Sequence, residues 1–161
     1  MVDANILVSG SVWPRWPYEV LQHGLRGDFQ LVLNQYVIEE ARRTLLKRFP
    51  QHIEKFDFFL EVSQYELTSA PAKEQVLAHQ NLVRDVTDVP VALAAINAEV
   101  DYLVSEDKDL TTQDETTAVL RSHINVLISG TFLRTVMGWN SEQLEQARGR
   151  NWRDLPGARN E

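Results

Sequence analysis

Asp3, Glu40, Asp88 and Asp107 are acids of the type that hold a hard divalent cation. Each falls where an alternating strand–helix chain turns from a strand into a helix, or opens the helix itself. In a parallel α/β fold such positions, remote in sequence, converge beyond the carboxyl ends of the strands. Unneutralised carboxylates repel one another unless a cation fills the space between them. The pattern therefore points to metal-assisted chemistry on a phosphate ester.

Each acid also has an ordinary structural reading. Asp3, before Ala4-Asn5, reads equally well as a turn residue bonding its own backbone. Asp88 is a favoured helix N-cap with Pro90 in the first turn, although a capping carboxylate keeps an oxygen free for a metal. Asp107 and Asp109 lie in the charged stretch Ser105-Glu106-Asp107-Lys108-Asp109-Leu110. Such a stretch ordinarily means solvation, but its place directly after a buried strand favours a role. Glu39 and Glu40 both flank the apolar stripe Val37, Ala41, Leu45, so periodicity does not choose between them. Glu40, Arg43 and Lys47 share a helical face. They read as a solvated ion-pair surface, or as a metal ligand beside two cations that grip phosphates.

The elements that position these acids alternate. Val2 to Val8 reads as a strand, and Tyr18 to Arg26 as a helix behind Pro14 and Pro17. Phe29 to Leu33 is a compact strand, and Asn34 caps a helix that Pro50 stops. His52 to Val62 carries Ile53, Phe56, Phe59 and Leu60 on one helical face, and Tyr65 to Leu67 forms a strand. A helix reaches about Val83, and Thr87 or Asp88 caps the next, whose buried side is Val91 to Ile96. Strands at Asp101 to Val104 and Ile124 to Ile128 flank a helix over Asp114 to Arg121. Helices at Thr131 to Met137 and Ser141 to Arg148 follow, with a loosely attached polar tail from Gly149. This alternation predicts an α/β fold, a three-layer α/β/α sandwich around a mainly parallel central sheet.

Length and composition narrow the class. At 161 residues, 43% of them hydrophobic, the chain fits one domain with an ordinary core. The absence of cysteine excludes thiolate metal sites, a cysteine nucleophile and disulfides. No basic leader precedes a long apolar run, and no apolar stretch approaches the roughly 18 residues of a membrane span. A soluble, cytoplasmic protein with no membrane contact is expected. The net charge of −7 argues against a general nucleic-acid binder. Basic residues nevertheless gather at Arg42, Arg43, Lys47 and Arg48, and at Arg148, Arg150, Arg153 and Arg159. His23, His52, His79 and His123 show no metal-ligand spacing and read as structural or surface residues.

Four segments in order resemble the motifs of PIN-domain nucleases, of the kind that serve as toxins in toxin–antitoxin pairs. Val2-Asp3-Ala4-Asn5-Ile6-Leu7-Val8-Ser9 resembles the opening strand with its Asp-x-Asn signature. Asn34 to Leu45 is similar to the second motif, and this alignment selects Glu40 over Glu39. Arg84-Asp85-Val86-Thr87-Asp88-Val89-Pro90 resembles the third motif, and Asp101 to Leu110 the fourth. The likeness covers residues 1–137 as a nuclease domain, leaving 138–161 as a C-terminal helix and tail.

The resemblance implies an endoribonuclease using Mg²⁺ or Mn²⁺. Asp3, Asp88 and Asp107 would be the principal ligands, and Glu40 a ligand or supporting acid. Asn5 would buttress Asp3, Asp109 would be a further acid, and Arg43 and Lys47 would hold substrate. It also implies RNA as substrate, a cognate antitoxin that sets a basic side chain among the acids, and a homodimer. Trp13, Trp16, Trp139 and Trp152 are interface candidates, although tryptophans in a domain this size are commonly core.

Two departures from the family pattern stand out. Only Met1 and Val2 precede Asp3, where members carry several strand residues. This raises the expectation of a late-assigned start or a shortened gene. Glu106 replaces a small residue and adds charge beside the acids. A competing reading from another class is a degenerate PIN domain that binds RNA or protein without cutting. A haloacid-dehalogenase-like phosphatase is disfavoured because Asn5 stands where its second Asp is needed. No Gly-rich phosphate loop is present.

Overall fold

The backbone starts as a strand and leaves it within two residues. In the computed structural model, which describes residues 1–157, Val2 makes one parallel bridge to Val104. Asp3 then caps α1 (Ala4–Val12), its side chain accepting the Ala4 N–H. The strand expected over Val2 to Val8 is thus a helix. Ala4, Ile6 and Leu7 are all buried, and an apolar run buried all round fits a core helix as readily as a strand. The Asp3 carboxylate decides the matter locally, because it satisfies an orphan N–H of the first turn. Gly10 lets α2 (Trp16–Leu25) approach closely, since a Cβ there would lie 2.5 Å from Leu21 Cδ1.

β1 (Val32–Asn34) pairs in parallel with β2 (Glu66–Thr68). Between them run α3 (Gln35–Arg48) and α4 (Ile53–Val62). Asn34 is fully buried. It caps α3 by accepting the Tyr36 N–H and donates its amide to Ser69 O at 3.0 Å. α3 gives way at Phe49 to a 3-10 turn that Pro50 opens. α5 (Lys73–Ala78) ends well before Val83. The polar stretch His79-Gln80-Asn81 leaves the helix, and Leu82 and Val83 enter the core from a loop.

α6 (Val89–Asn97) carries Pro90 in its first turn and buries Val89 and Val91 to Ala95. β3 (Tyr102–Val104) pairs in parallel with β4 (Asn125–Leu127). α7 (Lys108–Thr111) is a short helix where a charged loop was expected. α8 (Ala118–His123) continues a 3-10 turn over Glu115–Thr117. α9 (Ser129–Thr135) and α10 (Ser141–Arg148) complete the helices. Among the described residues, no helix is long and apolar enough to cross a membrane.

The fold is α/β with parallel pairing, but the strands form two ladders, β1–β2 and β3–β4, instead of one continuous sheet. Val2 is bridged to Val104 of β3, and the described residues show no ladder joining β1 to β3. An open cavity of about 520 Å³ lies there, walled by Gln30, Val32, Tyr102 and Val104 with Met1 and Val2 at its edge. The Met1 amino group donates to Tyr102 O at 2.8 Å, and burial pushes its pKa down to about 5.

The segment after Gly149 is fastened, contrary to expectation, as far as its 3-10 turn at Trp152–Asp154. The Trp152 indole donates to Val12 O at 2.8 Å. Arg150 donates to Pro14 O at 2.7 Å and pairs with Glu19 at 2.5 Å. Arg159, grouped above with the basic residues, lies outside the described residues.

Candidate metal centre

Asp3 is buried and fully engaged. Its Oδ1 accepts the Ala4 N–H at 2.7 Å. Its Oδ2 accepts the Ser105 hydroxyl at 2.8 Å and the Asn5 amide at 3.2 Å. Ser105, itself buried, also accepts the Asp107 N–H at 3.0 Å and the Asn5 amide at 3.2 Å. Asn5 Oδ1 accepts the Glu106 N–H at 3.1 Å. The start of α1 and the loop after β3 are thereby laced together, and Asp3 and Asp107 share one scaffold. By sequence Ser105 is only the first residue of the charged stretch that ends at Leu110. Its role is invisible without the fold, because a lone serine after a strand carries no spacing signal.

Asp107 caps α7, its Oδ1 accepting the Asp109 N–H at 2.8 Å. Asp88 behaves differently from its expected role. It occupies the cap position of α6 but makes no capping bond. Asp85 performs that task one turn earlier, accepting the Thr87 N–H at 2.9 Å and the Thr87 hydroxyl at 2.7 Å. One oxygen of Asp88, Oδ2, is buried with no hydrogen-bond partner. A buried oxygen without a donor is costly, and cation ligation is one way to remove that cost.

Asp3, Glu40, Asp88 and Asp107 line one open cavity of about 320 Å³. Their electrostatics register the crowding. Burial is the main force raising the Asp88 pKa to about 8, followed by Asp107 within proton-sharing distance and then by Asp3. Burial also raises Asp3, against the pull of the Ser105 bond. Glu40 is raised by burial and by Asp3, with Arg43 opposing. With its pKa raised so far, Asp88 binds its proton more readily than an ordinary carboxyl group when no cation is present.

A second grouping shares Asp88. One carboxylate oxygen each from Asp85, Asp88 and Asp109 lie within 4.8 Å of one another. Asp85 was not singled out from sequence, although it sits three residues before Asp88 in the quoted third motif. Arg84 reaches Asp109 at 3.6 Å and Asp114 at 3.5 Å, offsetting part of the charge.

The other expected residues divide. Arg48 and Thr44 line the cavity with Glu40, which they follow at i+8 and i+4 on α3, and Lys47 does not; Lys47 and Arg48 are both exposed. Arg43 acts on Glu40 electrostatically. Glu106 does not add an idle charge to the site, because its carboxylate accepts both the N–H and the hydroxyl of Ser129 at the start of α9. The donor set is all hard carboxylate oxygen, and with the orphaned Asp88 oxygen it fits a divalent cation.

A family model described as a PIN domain matches residues 1–109, a span that contains Asp3, Glu40, Asp85, Asp88, Asp107 and Asp109. No curated protein and no solved structure gives a significant match.

Proposed function

The chain belongs to the PIN-domain family, and from that premise we propose that it is a metal-dependent endoribonuclease, the toxin of a toxin–antitoxin pair. The observation that carries the reading is the unpartnered, buried Asp88 oxygen in a cavity shared with Asp3, Glu40 and Asp107. Mg²⁺ or Mn²⁺ is the fitting ion, and when bound it supplies the positive charge and Lewis acidity that phosphodiester hydrolysis requires. Asp88, Asp107 and Asp3 would hold it, with Glu40 either joining them or orienting water. Asn5 and Ser105 fix Asp3 in place, and Asp109 and Asp85 extend the acidic wall. Arg43 and Lys47 would grip substrate phosphate, joined by Arg48 at the cavity.

The same premise carries the finer fold reading, a three-layer α/β/α sandwich over residues 1–137 with 138–161 appended. It also carries a cytoplasmic location, a homodimer and a cognate antitoxin whose basic side chain would neutralise the acids. The test is cleavage of RNA in Mn²⁺ by purified protein. Asp3→Asn and Asp88→Asn should each abolish cutting while the fold survives. Either variant cutting at the parent's rate would overturn the assignment.

A second reading, a PIN domain that binds RNA or protein without cutting, has one observation in its favour. The first strand is a single bridge beside an open cavity, a weak footing for a catalytic Asp3. Calorimetry separates the two readings, because absence of heat with millimolar Mg²⁺ or Mn²⁺ would favour the binding module.

A further inference from the structure

We propose that the far end of the acidic cavity is a stacking subsite for an unpaired nucleobase of the RNA, with Trp13 as platform and Arg48 holding the adjoining phosphate. The inference rests on the nuclease reading and assigns two residues of this chain to hold one base and its phosphate.

Trp13 stands apart from the other tryptophans. Trp16 donates its indole N–H to Leu144 O at 2.9 Å, Trp139 to His23 Nε2 at 2.9 Å, and Trp152 to Val12 O at 2.8 Å. Those three are tied into the fold. Trp13 is 36% exposed, lines the cavity, and its indole N–H has no partner among the described residues. It stands edge-to-face with Phe49, ring centres 5.5 Å apart and planes at 75°. Phe49 also lines the cavity, so two rings brace each other and present a rigid apolar surface to an otherwise acidic space. A rigid ring loses little freedom when a base stacks on it.

Cations frame that surface. The Arg48 guanidinium lies 5.6 Å from the Phe49 ring centre and Arg15 lies 5.9 Å from that of Trp13. Neither pairs with a carboxylate among the described residues. Unneutralised arginines beside two rings are unusual on a chain of net charge −7, and aromatic–cation framing suits a base and its phosphate. Glu40, Thr44 and Arg48 run along one face of α3 at intervals of four residues. The acidic centre and the phosphate contact therefore stand about 12 Å apart along the helix axis. In an intact duplex each base face is covered by its neighbours, so the subsite selects unpaired strands.

The experiment titrates the full chain with a short oligoadenylate, with and without Mn²⁺, and with the same sequence locked in a duplex stem. Tryptophan fluorescence is followed. Quenching by the single strand but not by the duplex is expected. Trp13→Ala should abolish the quench and weaken binding about 10- to 100-fold, while Trp13→Phe keeps most of the affinity. Arg48→Gln should raise KM and lower the salt dependence by about one charge, leaving kcat intact. Trp13→Ala that binds and cuts single-stranded RNA like the parent, at an unchanged melting temperature, overturns the subsite and leaves the nuclease reading standing. If the parent quenches with oligoadenylate yet never cuts RNA, the nuclease reading fails and the subsite stands. Should Trp13→Ala fail to fold, Arg48→Gln with unchanged KM and salt dependence is the overturning result.

Discussion

Asp88 and Asp107 line the same cavity and Asp107 helps to raise the Asp88 pKa, while one Asp88 oxygen is buried with no donor to receive. Ionising both groups in that position sets two like charges against each other in a poorly solvated space. A proton on Asp88 or a cation between the two relieves that repulsion.

The contribution of Asp88 to stability without metal should fall as pH rises. Asp88 is raised to about 8 from its usual 3.8, chiefly by burial, and burial raises Asp3 and Glu40 as well. Each binds its proton more tightly folded than unfolded. Its contribution is therefore full below the unfolded value and is lost as pH rises through the folded one. The Met1 amine runs the other way. Burial lowers it from 8.0 to about 5, so its contribution is present above 8 and is lost as pH falls towards 5. The amine and His52, which burial lowers from 6.5, oppose the acids in the same range. The Asp88 share is therefore read as the parent's stability relative to Asp88→Asn, which should decline between roughly pH 4 and 8. Urea midpoints in EDTA should follow that decline, and saturating Mg²⁺ should flatten it. An identical slope with and without the ion would mean that no cation replaces the Asp88 proton.

Ser105→Ala should weaken divalent-ion binding about 10- to 100-fold, as loss of a group that orients a ligand usually does. The hydroxyl bonds Asp3 at 2.8 Å and receives the Asp107 N–H at 3.0 Å. Its removal frees Asp3 to rotate and leaves an N–H unmet, at a cost to stability of about 1–3 kcal/mol. Calorimetry with Mn²⁺ checks the first figure and urea unfolding the second. Unchanged affinity would show that Asp3 is aligned by Asn5 alone.

Arg150→Ala should destabilise the fold by about 3 kcal/mol while leaving RNA cleavage per folded molecule unaltered. The guanidinium pairs with Glu19 at 2.5 Å, the two side chains only 18% and 13% exposed, and it lines no part of the acidic cavity. Removing it strands a poorly hydrated carboxylate. Urea unfolding gives the loss, and a change below about 0.5 kcal/mol, the range of ordinary surface substitutions, would return the tail to a loose attachment.

Local chemistry made much of the architecture readable. Asn34 caps α3, Pro50 ends it, and α10 spans Ser141–Arg148, because caps and breakers act on their own neighbours. The errors arise where a decision belongs to the tertiary fold. Apart from Asn5, Ala4 to Val8 is apolar, with no helical or strand period, and the capping bond from Asp3 marks it as helix. Whether Asp85 or Asp88 caps depends on a 3-10 turn that spacing does not reveal. Lys47 and Arg48 follow Glu40 at i+7 and i+8 and straddle one helical face. Which of them meets the cavity depends on how α3 is rolled against its neighbours.

The inward-facing amino group at Met1 has a practical corollary for anyone preparing this protein. An affinity tag fused directly ahead of it would exchange a titrating amine for a neutral amide. The tag's last residues would be led into the gap beside Tyr102. Such a handle would add to the architecture next to Asp3, and its sequence would influence the acidic centre it was meant only to purify.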